Sequence, residues 1–221
     1  MFQRPISRRP IGAAALASAA IFAILYYPPY ARRRKVKDHI FLTFDDGPDP
    51  EWTPAILDAL SAARSRGTFF LIGEAALQYP EIVARIASEG HTIGVHGLHH
   101  DPVTLCRASS ISRELAGAQK AIMAAAGCGA RLYRPPYGLR GPGLRPALAR
   151  AGMKMALWTL DSRDYLTHEP DSIRDRVDRL LQAGDIVLLH DAGATGCATA
   201  AALPKILDDL ADRGWRSEAL G

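Results

Sequence analysis

The chain is poor in cysteine and aromatic residues, and over its first 37 positions it has no acidic residue at all. Its three cysteines, Cys106, Cys128 and Cys197, are odd in number and widely spaced. A complete disulfide framework is therefore excluded, and no Cys-x-x-Cys metal or redox spacing exists. Lone packed thiols are the expectation. There is no internal repeat and no low-complexity tract, which removes solenoid and disordered classes. At 221 residues and 48% hydrophobic content, the chain suits one sizeable globular domain with its own core.

The formal charge of +4 is unevenly placed. Residues 1–37 hold eight Arg or Lys, and the remainder carries 19 basic against 23 acidic residues. The folded body is thus mildly acidic, which excludes nucleic acid as a partner. The basic N-terminal segment also contains an uncharged apolar run at residues 11–27, flanked by Arg4, Arg8 and Arg9 and then by Pro28-Pro29 and Arg32-Arg33-Arg34-Lys35. As a helix, 17 residues span about 26 Å, enough to cross a bilayer core. The expectation is that residues 1–37 form a membrane anchor or signal segment with basic flanks and that residues 38–221 form one catalytic domain. Cleavage competes with anchoring: Ala17-Ser18-Ala19 has the small-residue spacing of a cleavage site, although it precedes the most apolar part. Ser7-Arg8-Arg9 faintly matches a twin-arginine signal. The catalytic domain is expected outside the cytoplasm, against the heavier positive charge after the span, which by the positive-inside rule argues for the cytoplasmic side.

From Asp38 onward short apolar runs alternate with helical patterns. Strands are expected at residues 40–44, 68–72, 92–95, 132–134, 155–160 and 186–189, with a weaker one near Trp215. Thr53-Pro54 has the form of a helix N-cap followed by a first-turn proline, and Pro80 opens the next helix. Gly67, Gly90, Gly152, Gly184 and Gly214 stand where left-handed C-terminal caps would sit. Strand, helix and glycine in repetition imply parallel strands with crossover helices, and about seven strands imply an α/β fold of the incomplete-barrel kind. Such a fold gathers its reactive groups in the loops after the strands' carboxyl ends.

Those loops hold the chain's reactive residues. Thr43-Phe44-Asp45-Asp46-Gly47-Pro48 ends the first strand with adjacent carboxylates, which a simple turn would also explain. The two side chains leave the strand in opposite directions, so one can hold a metal while its neighbour takes a proton. His96 and His100, spaced i and i+4 after the third strand, lie within reach of one cation. With Asp46 they make a two-His, one-carboxylate set that leaves positions open for water and substrate, as metal-assisted hydrolysis requires. His99 is the spare imidazole, His91 is expected to be structural, and His39 and His168 are expected at the surface.

Five motifs in order over residues 40–220 give the chain a resemblance to the polysaccharide deacetylases of the NodB-homology type, carbohydrate esterase family 4. The resemblance implies a distorted, incomplete (β/α)7-type barrel. It also implies Asp45 as catalytic base, Asp46, His96 and His100 as ligands of a divalent metal, and Arg134 of Arg134-Pro135-Pro136-Tyr137-Gly138 as the group holding the base. Tyr137 would offer its backbone N–H to the oxyanion, and the segment 158–165 would supply Trp158 as an aromatic wall. Leu188 would line the acetyl pocket and His190 would be the catalytic acid. Asp161 and Asp164 compete to orient His190, and the Asp164-Tyr165 pair fits the family's pattern better. Arg134 is expected to lower the pKa of Asp45. The metal is expected to be zinc first, with cobalt, manganese or iron as alternatives, and the substrate an acetylated glycan, peptidoglycan or chitin-like. Competing readings are a non-catalytic, membrane-tethered glycan-binding module and an esterase acting on O-acetyl groups. Gly97, Asp101 and Tyr165 depart from the family's usual residues, and Gly97 forgoes a hydroxyl that would brace the metal loop.

Overall fold

The computed structural model describes residues 33–102 and 107–221. The apolar run at 11–27 and Cys106 lie outside these residues, and no described helix is long and apolar enough to cross a membrane. Among the described residues there are eight parallel strands: β1 (His39–Asp45), β2 (Gly67–Leu71), β3 (Thr92–Val95), β4 (Leu132–Tyr133), β5 (Lys154–Met155), β6 (Leu160–Asp161), β7 (Ile186–His190) and β8 (Arg216–Ser217). They pair in the order β5-β4-β3-β2-β1-β7-β6, with β8 joined to the first residues of β1. The helices α1 (Trp52–Ala62), α2 (Gly73–Gln78), α3 (Pro80–Ser88), α4 (Ala108–Ala126), α5 (Leu144–Ala151), α6 (Pro170–Leu180) and α7 (Gly193–Asp212) connect them.

The central strands are apolar on both faces because helices cover the outside while the barrel closes around the inside. Along β1, Ile40, Leu42 and Phe44 face the helices, and Phe41 joins Phe70, Leu132 and Ile186 in a separate inner cluster. The period of two therefore sends Thr43 and Asp45 to the inner face together with Phe41.

The expected strand at 155–160 is two dipeptides instead. Between them the Ala156 and Thr159 N–H groups still donate to the Tyr133 and Ile186 carbonyls of the adjoining strands at 2.9 and 2.8 Å, while the Ala156 and Leu157 carbonyls accept from the Arg134 guanidinium at 3.3 and 3.4 Å. The two edge strands β5 and β6 flank this interruption, and among the described residues no ladder joins them, which leaves the barrel incomplete. Two smaller expectations also change. Gly67 opens β2, while Gly90, Gly152, Gly184 and Gly214 are left-handed as expected. Helix α1 begins one residue before Thr53, and its first N–H groups are met by Asp49 Oδ1, which accepts from Glu51 and Trp52 at 2.9 and 3.1 Å. The Thr53 hydroxyl turns inward. Cys128 and Cys197 are exposed, not packed.

Candidate active site

Register places the first two reactive groups. β1 and β7 pair in parallel with Asp45 opposite His190, so both side chains emerge on the inner face at the carboxyl end of the barrel. They enter a cleft of about 480 Å³ that Asp46, His96, His100, Tyr137, Trp158 and Leu188 also line. Its size is that of a small-ligand site. Arg134 and Asp164 stand behind this wall, fully buried, each bonded to a residue that faces the cleft.

Arg134 donates from Nη1 to Asp45 Oδ1 at 2.7 Å and to Thr43 Oγ1 at 2.8 Å, with its guanidinium 4.1 Å above the Phe70 ring. Burial nevertheless raises the Asp45 carboxyl above its usual range; Arg134 and His190 pull it down and do not win. This corrects the expectation of a lowered pKa, because removal from water costs the buried anion more than one cation returns.

Asp46, His96 and His100 converge. The Asp46 Oδ1 atom lies 3.4 Å from His96 Nε2 and 3.3 Å from His100 Nε2, and all three ligand atoms fall within 4.8 Å of one another. Both rings are oriented from behind: His96 Nδ1 donates to the Arg134 carbonyl at 2.7 Å, and His100 Nδ1 lies 3.1 Å from the Tyr137 hydroxyl. That arrangement leaves each Nε2 lone pair for a cation. Burial drops His96 to about 3, so it is neutral, as a ligand must be. The donor set fits a divalent metal on a further observation: Asp46 Oδ1 is buried without a hydrogen-bond partner. Asp46 and Tyr137 both adopt positive φ, 80° and 57°, a conformation costly for side-chain-bearing residues and held here by the surrounding loops.

His190 is paired with Asp164, not Asp161. Asp164 Oδ1 is 2.8 Å from His190 Nδ1, its Oδ2 accepts the His190 backbone N–H at 2.7 Å, and Thr199 donates to it at 2.8 Å. Asp161 instead takes the Tyr165 hydroxyl at 3.0 Å. Burial alone would lower the imidazole, but the Asp164 bond and charge, with Asp45 and Asp46, raise it to about 9. The ring is cationic at neutral pH. Leu188 and Trp158 form apolar wall, and Gly138 (φ +66°) lies against Trp158 where an added Cβ would come within 2.9 Å of the ring.

Two supports escaped the sequence reading. The wholly buried Asp191 accepts the Gly47 N–H at 2.9 Å and the Thr53 hydroxyl at 2.6 Å, while its own N–H donates to the Asp45 carbonyl at 3.1 Å. It ties the loop carrying both carboxylates to the loop carrying His190. Burial raises its carboxyl to about 7, against the pull of Thr53. A carboxylate following a strand-end histidine was the available signal. The metal loop is braced by Glu114 of α4, whose carboxylate accepts the Leu98 and His99 N–H groups at 3.2 and 3.4 Å, and by Gly73 N–H on the Gly97 carbonyl at 2.9 Å. At Gly97 φ is +108° and a Cβ would lie 2.7 Å from the His99 carbonyl, so this loop substitutes backbone and Glu114 contacts for the family's hydroxyl.

A half-open parallel barrel with an Arg-held carboxylate, a two-His, one-Asp cluster and a carboxylate-held cationic imidazole in one cleft defines an α/β enzyme built for hydrolysis. The model of the polysaccharide deacetylase family matches residues 32–156. A chitooligosaccharide deacetylase of Sinorhizobium fredii is 34% identical over 191 residues, covering 80% of this chain and 87% of that protein. The peptidoglycan deacetylase PdaC from Bacillus subtilis superposes with a TM-score of 0.77 at 33% identity, over 83% of this chain and 88% of that one. A CE4 family pseudoenzyme from Bacillus anthracis superposes with a TM-score of 0.78 at 25% identity, over 87% and 68%. The chain belongs to the polysaccharide deacetylase family, carbohydrate esterase family 4.

Proposed function

We propose that the protein removes N-acetyl groups from N-acetylglucosamine units of a glycan, peptidoglycan or chitin-like, releasing acetate and a free amine. The observation that carries this reading is the meeting of Asp45–Arg134, Asp46–His96–His100 and His190–Asp164 in one cleft. Asp45 takes a proton from the attacking water, a role its raised pKa favours, and Arg134 fixes its direction. Water oxygen bonds to the acyl carbon, the carbon–nitrogen bond breaks, and His190 gives its proton to the departing nitrogen. Tyr137 N–H donates to the developing oxyanion, and Leu188 with Trp158 receives the acetyl methyl. Asp46, His96 and His100 would hold a divalent cation, zinc first and cobalt, manganese or iron next, which when bound supplies Lewis acidity to the carbonyl and to a water. Residues 1–37 anchor the protein in a membrane, a reading the apolar run at 11–27 supports, and the catalytic domain, 38–221, lies outside the cytoplasm.

The test is acetate release by the full chain from acetylated chitooligosaccharides and peptidoglycan fragments, after chelation and return of each metal. Release with at least one metal supports the proposal. Sugar binding without release under any of them would leave a non-catalytic module, and release from O-acetyl substrates alone would leave an esterase. Asp45→Asn is expected to abolish turnover with metal content unchanged.

A further inference from the structure

We propose that the amino-terminal end of the barrel is a docking face for an anionic bilayer, so that the catalytic cleft opens on the side turned away from the membrane. This rests on the membrane-anchor reading of residues 1–37. Every strand pair is parallel, so all strand starts share one end and the cleft occupies the other. The segments entering the strands carry exposed cations: Lys35 and Lys37 before β1, Arg64 and Arg66 before β2, Arg131 before β4, and Arg216 opening β8. Acidic groups stand there too: Asp38 and Asp212 are exposed, Glu89, Asp178 and Glu218 are half-buried, with Arg213 on Asp178 at 2.6 Å and Arg216 on Glu218 at 2.5 Å, and Asp185 is buried under Arg33 at 2.5 Å. The opposite end presents Asp45, Asp46 and Asp161 together with the His190 imidazole.

The chain also enters here. Arg34 N–H donates to the Gly184 carbonyl at 3.0 Å, which fixes the approach to β1 against this face, a few residues after the apolar run at 11–27. Each Lys or Arg brought to an anionic surface changes binding about fivefold, within a Debye length of about 8 Å. The seven residues of β1 place the cleft roughly 23 Å further out, beyond that range. The substrate reached is then a glycan extending from the bilayer, not a sugar at the headgroups.

Two exposed native thiols report the orientation. Cys128 follows α4 at the basic end and Cys197 lies in the first turns of α7 at the cleft end. Full-length protein keeping one of these, with the other two cysteines changed to Ser, is labelled with a fluorophore. It is reconstituted with vesicles of phosphatidylcholine alone, or of equal parts phosphatidylcholine and phosphatidylglycerol, containing headgroup-nitroxide lipid. The label at Cys128 is expected to be quenched in the anionic vesicles and the label at Cys197 spared. Lys37→Glu, Arg64→Glu, Arg66→Glu and Arg131→Glu, each removing a cation worth about fivefold in docking and adding an anion the surface repels, together remove the difference. Equal quenching at both sites, stronger quenching at Cys197, or a difference indifferent to charge reversal would overturn the docking face. Protein that floats with both vesicle types yet shows no difference leaves the anchor intact and refutes only the orientation, whereas protein that floats with neither refutes both.

Discussion

Arg134→Met removes the cation hydrogen-bonded to Asp45 while nearly conserving side-chain volume. The guanidinium is wholly buried and serves Asp45 at 2.7 Å, Thr43 at 2.8 Å and the carbonyls of Ala156 and Leu157 at 3.3 and 3.4 Å. Breaking a buried ion pair costs about 3–5 kcal/mol, because the surviving partner becomes an unpaired buried charge. In a chain of this size that is a fall in Tm of roughly 6–20 °C. The loss depends on pH in a definite direction. Asp45 already titrates above the usual range through burial, and without Arg134 it rises further. Between the unfolded carboxyl value of about 3.9 and that raised native value, the native state holds a proton the unfolded chain has released, so stability falls as pH rises through the window. Urea unfolding of the metal-free protein should show a small penalty near pH ~4 and the full one near pH ~8. Arg134→Lys, which restores the charge without the fork, should fall between wild type and Met. A loss below about 1 kcal/mol at the higher pH, or equal losses at both, would refute the reasoning.

His190, raised to about 9, should carry an alkaline limb in the rate profile, with activity falling as pH passes that value. In Asp164→Asn the limb should move to lower pH, since burial then dominates, and an unmoved limb would contradict the pairing. Because the folded pKa is raised, the stability this imidazole contributes is complete below about 6.5 and lost as pH climbs through about 9, which thermal melts across that window can follow. Asp191→Ala should weaken metal binding by about 10–100-fold in chelator competition, through a loosened Asp46 loop, and cost about 1–3 kcal/mol for the orphaned Gly47 N–H. Asp191→Asn keeps an acceptor and should lose less; wild-type metal affinity in the Ala variant would count against the brace. Gly47→Ala would set a methyl 2.2 Å from Asp191 Oδ2 and should cost about 1–3 kcal/mol by denaturation.

Strands buried on both faces announce themselves as short apolar runs, so β1, β2, β3 and β7 were legible within a residue or two of their ends. Met155-Ala156-Leu157-Trp158-Thr159-Leu160 looks the same and is not one strand, because Arg134, 22 residues earlier than Ala156 by chain, takes the carbonyls a ladder would need. Thr53 has a capping residue's chemistry, but its hydroxyl is claimed by Asp191, 138 positions away. Neither competitor is visible in a local window.

Which reactive groups exist, and at which strand ends they stand, was determined by the sequence alone. Period-two alternation and parallel crossovers send every strand-end loop to one side whatever the detailed packing. Only the tertiary structure decided that Asp164 and not Asp161 holds His190, that Asp45 is raised despite Arg134, and that Asp191 ties the two catalytic loops together. Those outcomes depend on distance and on removal from water, which segments far apart in the chain set jointly when they pack.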